Sequence, residues 1–430
     1  MRAQLVAIVA SESAVIVGGD HLVGPLGLVL VLVATTAWAV VVFDRRVESS
    51  PGAVAIAIGV VFAVAVAIHP NGSHDIWSYV MSGRIISAHH TNPYVRPPKD
   101  FPHDPFLRYV GAGWRHATSV YGPLFTGVSA LFTRFAGGSV LRARLAFQLL
   151  SALSVVTALV LVWRETRDSR AVAFVGLHPA TVVTIVNGGH NDGLVGLAVL
   201  AGVLLVTRGR RGAAGFVLGL GILCKASGVL GLLGVVAWTA RRDRFGAGVT
   251  LLVALATTAV GYLPFGATAG RDVLQSGKGN TRGSPWDVVK TLTHAPGAIL
   301  TLVVLVLVVL SAWRWRVASR PGTTVTATNA AFLIGGTFVL PWYPGWALPT
   351  AALERRSFLG VVVAAHAALL VAVYELELPA HPRLSGALAI IRTTVIATCA
   401  LGLLVAVVAR LVHPPATEDP SRTPGFPLRT

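Results

Sequence analysis

Apolar runs of about 17 to 25 residues, the length needed to cross roughly 30 Å of hydrocarbon as a helix, recur along almost the whole chain and are separated by short polar connections. The runs lie at 24–43, 52–69, 141–163, 171–187, 193–207, 246–264, 298–313, 323–340, 357–374 and 385–410, with a weaker one at 5–19. Backbone groups in lipid must be satisfied internally, so each run is expected to be helical. A β-barrel would instead show ten-residue segments of alternating polarity, and nothing here alternates. The expected class is an all-α polytopic transmembrane protein with about 11 to 13 membrane segments.

Two stretches depart from full crossings. Residues 213–240 lie between two arginine clusters and are too short for two spans, so they read as a pair of short helices meeting near Cys224 and Lys225. Residues 122–136 follow Tyr121-Gly122-Pro123-Leu124 and read as a juxtamembrane helix. A further helix is expected from Ser73, as N-cap, to about Ala88. On it Asp75, Ser78 and Ser82 share one face and Ile76, Val80 and Gly83 another. Such a helix can lie in the interface with Asp75 toward water.

Composition agrees: 54% of the 430 residues are hydrophobic and 12% charged, with a mean hydropathy of +0.70, against about 25% charged in soluble proteins. An N-terminal signal peptide would not change the class, because many spans follow it. The polytopic domain is expected over 1–413, with a flexible Pro-rich tail over 414–430. Cys224 and Cys399 sit apart in apolar runs and point to no disulfide framework or metal site.

Charge supplies orientation. Arginine clusters at 44–46, 164–170, 208–211, 241–244, 314–320 and 355–356 are expected on the cytoplasmic side. The connections Pro70 to Gly138, Asn187 to Asp192, Gly266 to Gly297, Pro341 to Gly345 and Glu375 to Arg383 then face outward from a cell membrane. The net charge of +17 is spread over many borders with no basic domain, so anionic lipids rather than nucleic acid are the expected partners.

The outward connections hold the candidate chemistry. Asp75 follows an early span and either acts on a substrate or only caps its helix. Asn187-Gly-Gly-His190-Asn191-Asp192 wedges a carboxylate between spans, where it is functional by default or merely starts the next helix. His190 is a hydrogen-bonder without the companions of a zinc site. Lys225 needs a partner: a phosphate, an internal salt bridge or carbonyls. The aromatic loop Leu340-Pro-Trp342-Tyr343-Pro-Gly-Trp346 is an interfacial belt or a sugar platform, and the third loop adds Lys278 and Arg282.

In this order, His74-Asp75-Ile-Trp-Ser-Tyr79, Asn92-Pro93-Tyr94, Tyr121-Gly122-Pro123-Leu124, His190-Asn191-Asp192, Lys225 and Pro341-Trp342-Tyr343 resemble the GT-C membrane glycosyltransferases. They are most similar to the bacterial polyprenyl-phosphate-mannose-dependent α-mannosyltransferases of the cell envelope, over residues 50 to 350. The resemblance implies an inverting transfer from a polyprenyl-phosphate sugar to a glycolipid or polysaccharide acceptor, with Asp75 as general base. It implies that His190, Asn191, Asp192, Lys225, Lys278 and Arg282 meet the donor and its phosphate, and that His74, Tyr79, Asn92, Tyr94, Tyr121, Trp342 and Tyr343 meet sugar or acceptor. Asp192 would orient the donor or hold a divalent cation such as magnesium or manganese. Some relatives pair two acids in the first loop, whereas Asp75 here has His74 beside it. A lipid-linked polysaccharide polymerase or ligase would more typically use one large late loop, and a transporter or flippase would show paired broken helices.

Overall fold

In the computed structural model, the described residues are 1–19, 24–70, 72–266, 269, 284–286, 289, 297–375, 386–387 and 390–412. They form helices α1 (Arg2–Gly18), α2 (Pro25–Phe43), α3 (Pro51–Ala67), α4 (Asp75–Ser87), α5 (Pro123–Ala136), α6 (Val140–Thr166), α7 (Ser169–Gly176), α8 (Asp192–Thr207), α9 (Arg211–Cys224), α10 (Gly228–Ala240), α11 (Arg244–Tyr262), α12 (Gly297–Trp315), α13 (Pro321–Gly335), α14 (Phe358–Glu375) and α15 (Ala397–Val412). No strand occurs among the described residues, and the protein is an all-α polytopic membrane protein.

Local chemistry sets the helix starts. Ser50 accepts from the Ala53 amide and Ser139 from the Arg142 amide, while Asp168 and Asp243 cap α7 and α11 in the same way. Each side chain satisfies one of the amides that a helix leaves unpaired at its start. Proline occupies the first turn of α2, α3, α5 and α13, where its missing N–H costs nothing.

Among the described residues, five helices are long and apolar enough to cross a membrane: Pro25–Phe43, Val140–Thr166, Arg244–Phe265, Phe358–Glu375 and Thr394–Val412. The expected span 171–187 is broken instead. Helix α7 and a π-helical segment, Ala180–Val186, meet at a 48° bend. His178 stabilises the break, because its Nδ1 accepts from the Ala180 amide and its Nε2 lies 3.1 Å from the Ala364 carbonyl. Helices 51–67, 192–207, 211–224, 228–240 and 299–315 are apolar but shorter. A 16-residue helix is only about 24 Å long, so α8, which is buried along much of its length, is sheathed by protein more than by lipid. Long crossings and shorter apolar helices thus both occur among the described residues. The expected hairpin at 213–240 is present as α9 and α10, which meet at Lys225.

The first connection is the largest described one. Helix α4 begins one residue later than expected: His74 is the N-cap residue and caps with no side-chain bond, while Ser73 Oγ accepts from the Asp75 amide at 3.2 Å. Nor does α4 lie open at an interface, since ten of its residues from Asp75 to Ile85 are buried. It packs on α5, the juxtamembrane helix, and on short 3₁₀ turns. Buried Asp104 secures the far end of α4, because Arg84 Nε donates to both its oxygens at 2.9 Å and His89 Nε2 lies 2.7 Å away. The tail expected over 414–430 lies outside the described residues.

Candidate active site

The site forms where four connections meet at one end of the bundle. The Asn187–Asp192 connection leaves the π segment through Gly189, at φ +63°, a left-handed conformation that glycine adopts without strain. A Cβ at this position would also meet Ile76 Cδ1 at 2.9 Å. The bare backbone therefore lets the second connection close on the start of α4, beside Asp75.

That approach is held by amides reading carbonyls. Gln148 Nε2, from α6, donates to the carbonyls of Ala65, Ile68 and Asn187 at 3.1, 3.0 and 2.7 Å. Asn187 Nδ2 donates to Ala65 and His69 at 2.9 and 3.1 Å. One turn further along α6, Ser151 Oγ donates to the carbonyls of Ile185 and His190. The C-terminus of α3, which launches the first connection, is thereby fastened to the second.

The result is a buried cluster. Asp75 is 8% exposed, and its Oδ2 lies 3.7 Å from His190 Nδ1. The Tyr79 hydroxyl is 3.3 Å from the same nitrogen. Burial pushes the Asp75 carboxyl up to about 6; the Lys225 charge opposes this, Asp192 adds to it, and a hydrogen bond from Tyr121 lowers it. His190 stacks on Trp342 with centroids 3.8 Å apart and planes 14° apart.

Asp192 is fully buried, and its Oδ1 accepts from Lys225 Nζ at 2.8 Å and Trp346 Nε1 at 2.6 Å. Lys225 also sits over the rings of Tyr343 and Trp346, 4.4 and 5.4 Å from their centroids. The late aromatic loop reaches Asp192 because Gly196 has no side chain: a Cβ there would fall 2.0 Å from the Gly345 carbonyl oxygen. Within the protein, Lys225 thus has the internal salt bridge as its partner.

Five buried polar atoms in this region have no protein partner: Ser78 Oγ, His190 Nε2, Asn191 Oδ1, Asp192 Oδ2 and Trp342 Nε1. Buried polar groups are normally hydrogen-bonded, so this group of unpaired donors and acceptors sets the cluster apart from an ordinary packed core. A resident divalent cation fits poorly. Asp192 already carries an ammonium and an indole N–H on one oxygen, and no group of three potential metal ligands occurs among the described residues.

Other expected site residues fall elsewhere. Tyr94 is buried beside the cluster, its hydroxyl donating to the Tyr121 carbonyl at 2.7 Å and lying 2.9 Å from Thr126 Oγ1. Asn92 Oδ1 accepts from the Tyr94 amide, and its Nδ2 donates to the Phe265 carbonyl. Both therefore shape the loop that carries Tyr121. His74 is exposed at the start of α4, and Lys278 and Arg282 lie outside the described residues. Sequence reasoning missed Gln148 and Ser151, although polar residues three apart in an apolar span were a legible sign. It also missed Trp346 as a partner of Asp192.

Two relatives carry printed activities. The alpha-(1->6)-mannopyranosyltransferase A of Mycobacterium tuberculosis is 27% identical over 326 residues, covering 66% of this chain and 61% of that protein. The enzyme of the same name from Corynebacterium glutamicum is 27% identical over 172 residues, 39% of this chain and 35% of that protein. The chain therefore spans about a third to three fifths of the curated relatives it matches. The profile of the MptA_B family, described as the N-terminal domain of alpha-(1->6)-mannopyranosyltransferase, matches residues 3–241, a stretch containing Asp75, His190, Asp192 and Lys225, and the chain belongs to that family.

Proposed function

We propose that this chain is an inverting α-mannosyltransferase of GT-C-like arrangement. It takes mannose from a polyprenyl phosphate and transfers it to a glycolipid or polysaccharide hydroxyl on the extracytoplasmic face of the cell membrane. The observation that carries the reading is the meeting of Asp75 with His190 at 3.7 Å in a buried cluster that holds several unpaired polar atoms. Family membership supports the sugar, and the siding of the arginine clusters supports the face.

Asp75 takes the proton of the acceptor hydroxyl as that oxygen bonds to the anomeric carbon. The bond from that carbon to the phosphate oxygen breaks, and polyprenyl phosphate leaves with the electron pair. A carboxylate raised to about 6 is a stronger base than an ordinary one yet ionised near neutrality, which is what proton abstraction requires. His190 positions Asp75, and Trp342 holds the plane of His190. Lys225, paired with Asp192, places a positive charge near Asp75 and keeps it from neutralising altogether.

Membranes containing the chain are expected to move radiolabel from polyprenyl-phosphate mannose to a glycolipid or polysaccharide, equally with and without EDTA. Transfer from a nucleotide sugar after polyprenyl-phosphate mannose synthesis is blocked would overturn the donor assignment. Loss of transfer on chelation, restored by magnesium or manganese, would overturn the metal-free reading.

A further inference from the structure

The α6 face that carries Ser151 and Gln148 continues one turn toward the site end of the bundle to Arg144. This side chain is 3% exposed. Its Nη2 donates to the Ala67 carbonyl at 3.1 Å, while Nε and Nη1 have no partner. No carboxylate pairs with it among the described ion pairs, whereas buried Asp104 and Asp192 each face a cation. Glu12 is also buried without a partner, but a carboxyl can sidestep the cost by taking a proton. A guanidinium cannot shed its charge, and an uncompensated buried cation is strongly unfavourable.

We infer that Arg144 anchors a binding site for the phosphate group of a lipid at the end of α6. Two unpaired nitrogens, with the second hydrogen of Nη2, let the guanidinium meet two oxyanion oxygens along either its side or its end, the geometry in which arginine holds phosphate. The position suits an amphiphile: Leu141 and Arg142, in the turn before, are exposed, so Arg144 sits one turn below the helix end, where lipid phosphates lie. It also leads to the proposed site. Ser151, which holds the His190 carbonyl, is seven residues along, about 10 Å on the helix axis. The phosphate has two sources, the lipid-linked sugar donor or a bilayer phospholipid headgroup, and assigning it to the donor rests on the mannosyltransferase reading.

The test measures binding to the purified full chain in detergent, with no turnover involved. The probes are a short-chain polyprenyl monophosphate, phosphatidylglycerol and inorganic phosphate. The parent is expected to bind polyprenyl phosphate, and Arg144→Met to weaken that binding about tenfold or more, the worth of a charged hydrogen-bonded contact. Arg144→Lys should retain part of the affinity, and serves as the folded comparison should Arg144→Met unfold. Phosphatidylglycerol competing at equal concentration would support the site and assign it to a headgroup. Arg144→Met, or Arg144→Gln in its place, binding phosphate lipids within about twofold of the parent would overturn the inference, as would a parent that binds none of them. Failure of the mannosyltransferase reading looks different: Arg144-dependent lipid binding persists while no mannose is transferred.

Discussion

His190 touches Asp75 through one ring nitrogen and Trp342 through one ring face, at 3.7 Å and at a 3.8 Å centroid separation respectively. One imidazole thus joins the first, second and late connections, which are separated by more than two hundred residues of sequence. Its backbone is fixed as well, by Ser151. Asp75 therefore lies against a group that is itself held on two sides.

Asp75→Asn keeps the shape of the side chain and removes its ability to take a proton. Transfer at saturating donor and acceptor is expected to fall by about 10² to 10⁴, with donor binding nearly unchanged. Purified protein retaining more than about a tenth of parental turnover would return Asp75 to the role of a helix-capping carboxylate.

The base must be ionised to work, so the rate should fall as pH drops through the folded value. For Asp75 that value is about 6, raised by burial, and kcat/KM should rise through that pH to a plateau above it. Asp192→Asn removes a neighbouring negative charge that raises Asp75 and leaves Lys225 free to lower it, so the acid limb should move to lower pH. A limb that stays in place would separate the pH dependence from this pair of charges.

Lys225→Met strands the fully buried Asp192 carboxylate, which is expected to cost about 3–5 kcal/mol. Lys225→Met with Asp192→Asn should regain most of that loss, because asparagine keeps an acceptor for Trp346 and carries no charge. Thermal unfolding of the single and double variants decides it: equal instability in both would mean that the ion pair is not what the single change breaks.

Orientation is open to labelling. In a variant without Cys224 and Cys399, His103→Cys should react with an impermeant thiol reagent applied to intact cells, and Arg241→Cys should not. Both positions are exposed, so access from the solvent depends only on side. The reverse pattern would place the Asp75 cluster in the cytoplasm.

Long apolar helices were legible because composition alone dictates them: α2, α6 and α14 begin and end within three residues of the expected 24–43, 141–163 and 357–374. The α9–α10 hairpin was legible because 213–240 lies between two arginine clusters expected on the same side and is too short for two full crossings. The π character of 180–186 was hidden, since nothing in Ala180-Thr-Val-Val-Thr-Ile-Val186 distinguishes it from a straight apolar helix, but the bend was legible in Pro179, which has no backbone N–H to continue a helix and stands at the break. Asp75 was expected to face water because the pattern of α4 alone cannot reveal that α5 and the 3₁₀ turns cover it. The roles of Gln148 and Ser151 escaped notice for a related reason: polar residues three apart mark the face, but their partners are main-chain oxygens, which no pattern of side chains records.

Those main-chain oxygens carry a further consequence. Ala65, Ile68 and His69 offer Gln148 and Asn187 atoms that every residue type possesses, so replacing their side chains leaves the contact points in place. Inserting or deleting one residue in α3 is another matter, because it swings each oxygen by about 100° around the helix axis and withdraws them from both amides. The spacing of Asp75 from His190 is thus a property of the phase of α3, and sequence drift at its end should be broad in residue type and narrow in length.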